Sequence, residues 1–179
     1  SRFKIFDYEN ISIYKKILYL DIDILIGNNI NILFNFNLDD KIYVLQEVIH
    51  NIASLKIWHF AYFTKEEQIK LDKNLGFTSA IILFKNSKNI KDFFLNINNN
   101  INNFEKKWGG WDQPILNYFS IKLNFSNNTK LIGYAVNNPK KFNNEIILHF
   151  PCWGKNKISM ITDFFLYLLD EKFKMPNLP

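Results

Sequence analysis

Residues 15–26 read Lys15-Lys16-Ile17-Leu18-Tyr19-Leu20-Asp21-Ile22-Asp23-Ile24-Leu25-Ile26, an apolar, β-branched run interrupted by two carboxylates one residue apart. A strand buried on both faces has this composition, and side chains at i and i+2 of a strand point to the same side. Asp21 and Asp23 would then project together while Ile22 points away. Two like charges in an apolar setting repel each other and lose hydration, unless something positive sits between them. A divalent cation answers that need, and hard oxygen ligands suit Mg²⁺ or Mn²⁺, which keep positions open for water or a phosphate. The other reading of the same residues is a strand that ends at Asp21 and turns, leaving both acids in water. These residues alone do not choose between the two.

The chain has 179 residues, of which 47% are hydrophobic, enough for one domain with a substantial core over residues 1–179. A net charge of +5 suggests affinity for anions, but the cations are dispersed instead of forming a block. No basic helix with spaced aromatics occurs, and the 18 phenylalanines suit a core better than a stacking platform, so nucleic acid is not an expected partner. The single cysteine, Cys152, excludes an internal disulfide. With no apolar run of membrane-spanning length and no signal peptide in the sequence, a soluble, cytoplasmic setting is expected. Asn, Ile and Lys are used heavily, which weakens arguments from any single asparagine or lysine.

Along the chain, residues 2–6 suggest a short entry strand, and residues 17–26 the strand carrying the paired acids at its carboxyl end. In open α/β sheets ligands gather at that end of the strands. Ile30, Leu33 and Phe34 have helical spacing, and residues 42–45 suggest a second strand. The segment with His50, Trp58, His59 and Phe60 has no assignable pattern. Thr64-Lys65-Glu66-Glu67 is a capping box for a helix. Residues 77–84 form a strong strand with small residues in its first half, where a ligand can approach the backbone. Residues 88–107 have the period of an amphipathic helix, fraying in their Asn-rich part. Trp108-Gly109-Gly110-Trp111 marks a loop, after which Asp112 is either a plain N-cap or a functional acid for a helix over 113–119 with Pro114 in its first turn. Residues 122–144 give weak signals. Residues 146–150 suggest a last strand with His149 at its end, residues 151–157 a loop with two lysines, and residues 158–173 a final amphipathic helix.

In this order the motifs resemble the glycogenin-like retaining glycosyltransferases of family 8, which have a GT-A fold. Leu18-Tyr19-Leu20-Asp21-Ile22-Asp23 is similar to that family's strand ending in Asp-x-Asp. Phe77-Thr78-Ser79-Ala80 is similar to its Phe-Asn-Ser-Gly, Asp112-Gln113 to its Asp-Gln, and His149-Phe150 with Lys155 to its His-Phe-x-Gly-x-x-Lys. The resemblance runs from about Arg2 to Lys157. It implies an α/β, Rossmann-like nucleotide-diphospho-sugar transferase fold, a mixed central sheet with flanking helices. It implies that Asp21, Asp23 and His149 hold Mn²⁺ or Mg²⁺, that Lys155 in its loop with Gly154 contacts the donor diphosphate, that Asp112 and Gln113 face the donor sugar in the catalytic role, and that Thr78 and Ser79 contact sugar or acceptor hydroxyls. The donor would be a UDP-sugar, the product a hexose transferred with retention to a sugar, protein or lipid acceptor.

The sequence departs from the family at Thr78 and Ala80, where Asn and Gly are usual, and at Cys152, where Gly is usual. Only 14 residues precede Lys15, so the opening βα units that carry the nucleotide base in the family are missing, and the chain is expected to be the carboxyl-terminal part of a GT-A domain, completed by an amino-terminal remainder or by a second copy. A different class of function is a non-catalytic remnant of the fold that serves as a binding or scaffold module. A metal-dependent phosphoryl or nucleotidyl transferase shares the acids but leaves the segment from His149 to Lys155 unexplained.

Overall fold

The computed structural model describes residues 2–47, 62–71, 76–104, 112–151 and 157–173. In chain order it has 3₁₀ turns at Arg2–Asp7 and Ile11–Ile13, then β1 (Lys16–Leu20), β2 (Ile24–Ile26), α1 (Asn31–Phe34), β3 (Ile42–Gln46), α2 (Lys65–Lys70), β4 (Phe77–Lys85), α3 (Lys88–Asn100), a 3₁₀ turn at Ile101–Asn103, α4 (Asp112–Lys122), β5 (Ser126–Asn127), β6 (Ala135–Asn137), β7 (Ile147–His149) and α5 (Lys157–Phe173). The chain divides into two compact units, one of Ser1–Leu20 and Phe34–Ile132, the other of Asp21–Leu33 and Gly133–Pro179. Among the described residues no helix is long and apolar enough to cross a membrane.

The first unit is built on a mixed sheet of order β1-β4-β3-β5, in which β4 runs antiparallel to both neighbours and β5 parallel to β3. β4 is its spine: every residue from Phe77 to Phe84 is buried. That explains its near-continuous apolar sequence, since a central strand covered on both faces has no solvent side on which to alternate. Each fully buried Phe, Ile or Leu there contributes on the order of 2 kcal/mol. α3 covers the sheet with Ile90, Phe93, Phe94 and Ile97, the i, i+3, i+4, i+7 stripe of an amphipathic helix. Ser87 caps it, its side chain accepting the Ile90 N–H, and its hydroxyl in turn donates to Asp40 Oδ1 at 2.5 Å. The helix gives way to a 3₁₀ turn at Ile101, where the asparagine run lowers helix propensity as expected. The capping box at Thr64 is also present: Glu67 N–H donates to Thr64 Oγ1 at 3.2 Å, and Thr64 N–H to Glu67 Oε2 at 2.9 Å.

Two sequence expectations are corrected in this region. Residues 2–6 are helical turns and not a strand. The backbone kinks at Lys4 between two short turns; Phe3 is buried, and Phe6 packs against Phe84 and Phe94 with ring centroids 6.0 and 5.9 Å away. Residues 17–26 are two strands in two different sheets and not one. β1 ends at Leu20 against Ile81, the chain turns through Ile22, and β2 begins at Ile24 opposite His149.

The second unit has a three-stranded sheet of order β2-β7-β6, antiparallel between β2 and β7 and parallel between β7 and β6. Leu148 and Phe150 form a small core with Phe164 of α5, joined by Leu25, Val136, Phe142, Ile161 and Leu168. β2 ends at Gly27, whose N–H donates to Ile146 O at 2.9 Å. A Cβ at this position would lie 2.7 Å from the Phe142 ring and 2.8 Å from Glu145 O, so the chain passes where only glycine fits.

Candidate functional site

In the second unit, strand alternation sends Leu148 and Phe150 into the apolar core and His149 to the other face. The register sets His149 opposite Ile24 on one side and Asn137 on the other, and Phe150 N–H donates to Asp23 O at 2.9 Å, which pins the backbone of Asp23 beside β7. The side chains follow. His149 Nδ1 lies 2.7 Å from Asn137 Oδ1, and His149 Nε2 lies 3.6 Å from Asp23 Oδ1. Asp23 and His149 are 7% and 5% exposed, so the acid that the sequence could place either in a site or in water is buried, although the chain does turn there. The residue left in solvent is Ile22, at 98% exposure.

One carboxylate oxygen and one imidazole nitrogen are suitable ligands for Mn²⁺ or Mg²⁺. Two ligand atoms each about 2.1 Å from a common ion can be at most about 4.2 Å apart, and the Asp23–His149 separation falls within that span. Asp21 is not drawn into the pair: among the described residues no three His, Cys, Asp or Glu side chains stand close enough to hold a metal ion. A cation bound by Asp23 and His149 would therefore complete its shell with water or phosphate oxygens.

The first unit gathers the other predicted residues around Ser79. Opposite β4 the register steps from Val44 facing Ile82 to Leu45 facing Thr78, so residues 79–81 stand opposite no residue of β3. Such an irregularity leaves backbone groups without strand partners, and side chains take them over here. Ser79 N–H and Ser79 Oγ both donate to Gln113 Oε1 at 3.1 Å, while Ser79 O accepts from Arg2 Nη1. Gln113 Nε2 donates to Glu47 Oε2 at 3.2 Å, which fixes the orientation of the amide. Asp112 pairs with Arg2 Nε, and the Arg2 guanidinium lies 5.1 Å over the Tyr19 ring. Thr78 is buried, its hydroxyl accepting the Ala80 N–H at 3.3 Å.

Asp112 is thus the first residue of α4 and an ion-pair partner, not the plain N-cap that was one of its two readings. Five residues further along α4, Asn117 locks the helix to β4. It is fully buried, accepting Phe77 N–H at 3.1 Å and donating to Phe77 O and to Gln113 O, each at 3.0 Å. Gly154, Lys155, Cys152 and Trp111, together with His50, Trp58, His59 and Phe60, lie outside the described residues.

Sequence reasoning missed Arg2, Glu47, Asn117 and Asn137. Arg2 carried one signal, as the sole arginine of a chain that otherwise uses lysine for its cations. Arginine suits a site that needs a planar fork to meet a carboxylate and a carbonyl together.

The described residues thus form a mixed α/β architecture with an acid–imidazole pair in one unit and a hydroxyl–amide–carboxylate cluster in the other. The apo structure of the bifunctional glycosyltransferase WbbM superposes on 90% of this chain with a TM-score of 0.54 at 14% identity. The glycosyltransferase GlyE of Streptococcus pneumoniae TIGR4 matches 96% of the chain at a TM-score of 0.45 and 16% identity. The chain spans 35% of the WbbM chain and 45% of the GlyE chain. No protein-family model matches the sequence, and no curated protein does. At this identity the WbbM likeness defines the fold, a glycosyltransferase fold, and leaves the chemistry to the residues.

Proposed function

We propose that the chain carries the donor-binding and catalytic groups of a GT-A, family 8-like retaining glycosyltransferase that moves a hexose from a UDP-sugar to a hydroxyl acceptor. The observation that carries this reading is the buried Asp23–His149 pair, a carboxylate in the turn before β2 and an imidazole on β7, 3.6 Å apart in a glycosyltransferase fold. Asp23 and His149 would hold Mn²⁺ or Mg²⁺, with water and donor phosphate oxygens completing the shell; Asp21, which the family 8 resemblance assigns as a further ligand, does not stand with them as a third. The ion, when bound, supplies a Lewis acid that stabilises negative charge on the diphosphate leaving group.

The chain's own residues have separate tasks. Gln113, held between Ser79 and Glu47, has its amide already oriented, so it positions the Ser79 backbone and hydroxyl instead of acting as a mobile base. Ser79, Thr78 and the Asp112 carboxylate, whose charge Arg2 balances, supply the donors and acceptors that a sugar hydroxyl requires. As the bond from the anomeric carbon to the diphosphate oxygen breaks, its electron pair leaves with the phosphate and the sugar gains oxocarbenium character. A preorganised set of charged groups stabilises that separation because it needs no rearrangement at the moment of reaction. Lys155 is the residue the resemblance assigns to the departing diphosphate.

Calorimetric titration of UDP into the purified chain, with and without Mn²⁺, tests the reading. Binding is expected to require the metal and to disappear in His149→Ala. A folded chain that binds UDP neither with nor without Mn²⁺ would remove the transferase reading in favour of a non-catalytic module.

A further inference from the structure

We infer that Glu47 is a positioning residue for the donor sugar. By taking up Gln113 Nε2 it turns the Gln113 amide so that Oε1 meets Ser79, and it ties the first turn of α4, with Asp112, across to the end of β3. The inference rests on the reading above that Ser79 and Asp112 face the donor sugar, and it adds a residue that no sequence motif marks. A backbone N–H only donates, so the Gln113 atom 3.1 Å from Ser79 N must be the amide oxygen. The amide nitrogen also only donates, and the atom 3.2 Å from it is a carboxyl oxygen of Glu47, an acceptor. The two ends therefore fix the same orientation independently. An amide turned the other way would set donor against donor at Ser79 and acceptor against acceptor at the Glu47 carboxylate.

The fold explains why a side chain is needed at this place. Residues 79–81 stand opposite no residue of β3, and Gln113 Oε1 does for the Ser79 N–H what a strand carbonyl does elsewhere in the sheet. Glu47 directly follows β3, so the chain from Ser79 through Gln113 to Glu47 bridges the break in the ladder. The backbone at the end of β3 does not depend on this side chain: Gln46 N–H donates to Asn128 O and Glu47 N–H to Gly76 O, each at 3.0 Å. Further along α4, Asn117 docks the helix by bonding both backbone groups of Phe77. Loss of the Glu47 carboxyl thus frees one amide and leaves both helix and strand in place.

Hydrogen exchange followed by NMR on the ligand-free wild-type chain tests the orientation first. Slow exchange is expected at the Ser79 amide and at the Gln113 side-chain amide, the latter identified by its loss in Gln113→Ala. A Gln113 amide that exchanges as fast as exposed ones overturns the inference. Glu47→Leu is expected to speed exchange at Ser79 by about 2- to 12-fold, the factor that one net hydrogen bond represents. Glu47→Gln, whose amide oxygen accepts in the same place, should recover most of that protection. The role toward the sugar is read by calorimetric titration of UDP, UDP-glucose and UDP-galactose in the presence of Mn²⁺. Glu47→Leu should weaken the UDP-hexose that wild type prefers by a similar factor and leave UDP itself unaltered, with Glu47→Gln again recovering affinity. Unchanged hexose affinity in Glu47→Leu, or an equal loss of UDP and UDP-hexose, overturns the positioning role even where exchange at Ser79 speeds up. Wild-type chain that binds neither UDP nor a UDP-hexose removes the donor reading above, while exchange at Ser79 in Glu47→Leu still decides whether Glu47 orients the amide.

Discussion

The two units use buried polar groups in opposite ways. Around Ser79 in the first unit, donors meet acceptors: Gln113 accepts from Ser79 and donates to Glu47, Arg2 answers both Ser79 O and Asp112, and Asn117 answers both backbone groups of Phe77. Around His149 in the second unit, the strand register brings an imidazole nitrogen and a carboxylate oxygen to 3.6 Å of each other, with Asn137 on the other ring nitrogen. The first network joins Arg2 and α4 to β4. The second is a buried carboxylate–imidazole contact that would take a cation on the reading proposed above.

That contrast makes demands that mutations can break. Asp23→Ala should reduce metal-dependent UDP binding by on the order of 10²–10³-fold while leaving the thermal melting temperature nearly unchanged. A large fall in melting temperature would show that the second cluster, too, is mainly structural. Asn117→Leu should do the reverse. It strands the buried N–H and C=O of Phe77 and should lower stability by about 3 kcal/mol in urea denaturation, with UDP affinity of the folded fraction little altered. Ser87→Ala, which removes the cap of α3 and the partner of Asp40, should cost about 1 kcal/mol by the same measurement.

The smallest effect is a pH dependence confined to the first unit. Hydrogen bonds from Ser87 and Lys85 hold the Asp40 carboxyl below its usual range, and Lys122 with the Thr64 amide does the same for Glu67. Carboxylates with lowered values in the folded state add stability above their ordinary range and lose it as the pH falls through the folded values, below about pH 4. Lys122 is shifted upward by Glu67, so its share is present at neutral pH and is lost as the pH rises through its own raised value. Asp40→Asn should therefore flatten the acid limb of a stability–pH curve measured by thermal melting. An unchanged limb would mean that these exposed pairs are screened to nothing.

Much of the first unit is legible in the sequence because its signals are local and long. The buried run of β4 and the Thr64 capping box are found where they are read, and the stripe of α3 is found as far as Ile97, the helix ending at Asn100 short of the 88–107 read for it. The acid pair at Asp21 and Asp23 is legible as chemistry but not as geometry. Nothing in Leu20-Asp21-Ile22-Asp23-Ile24 reveals that the residues before it pair with β4 and those after it with β7, because strand partners are chosen by distant residues. Arg2 and Asp112 are illegible as a pair for the same reason, and Asn137 is hidden among the many asparagines of the chain. The burial of Asp23 beside His149 follows from the β2–β7 register, which only the folded chain contains.

Gly27 leads to a different kind of statement, about descent. With Phe142 and Glu145 O closer than any Cβ tolerates, every other residue at this position would pry the end of β2 from its neighbours. In a deep mutational library all replacements at position 27 should vanish together, the small alanine included. Distant relatives recognisable only by shape should have kept this glycine wherever they kept an aromatic residue opposite it.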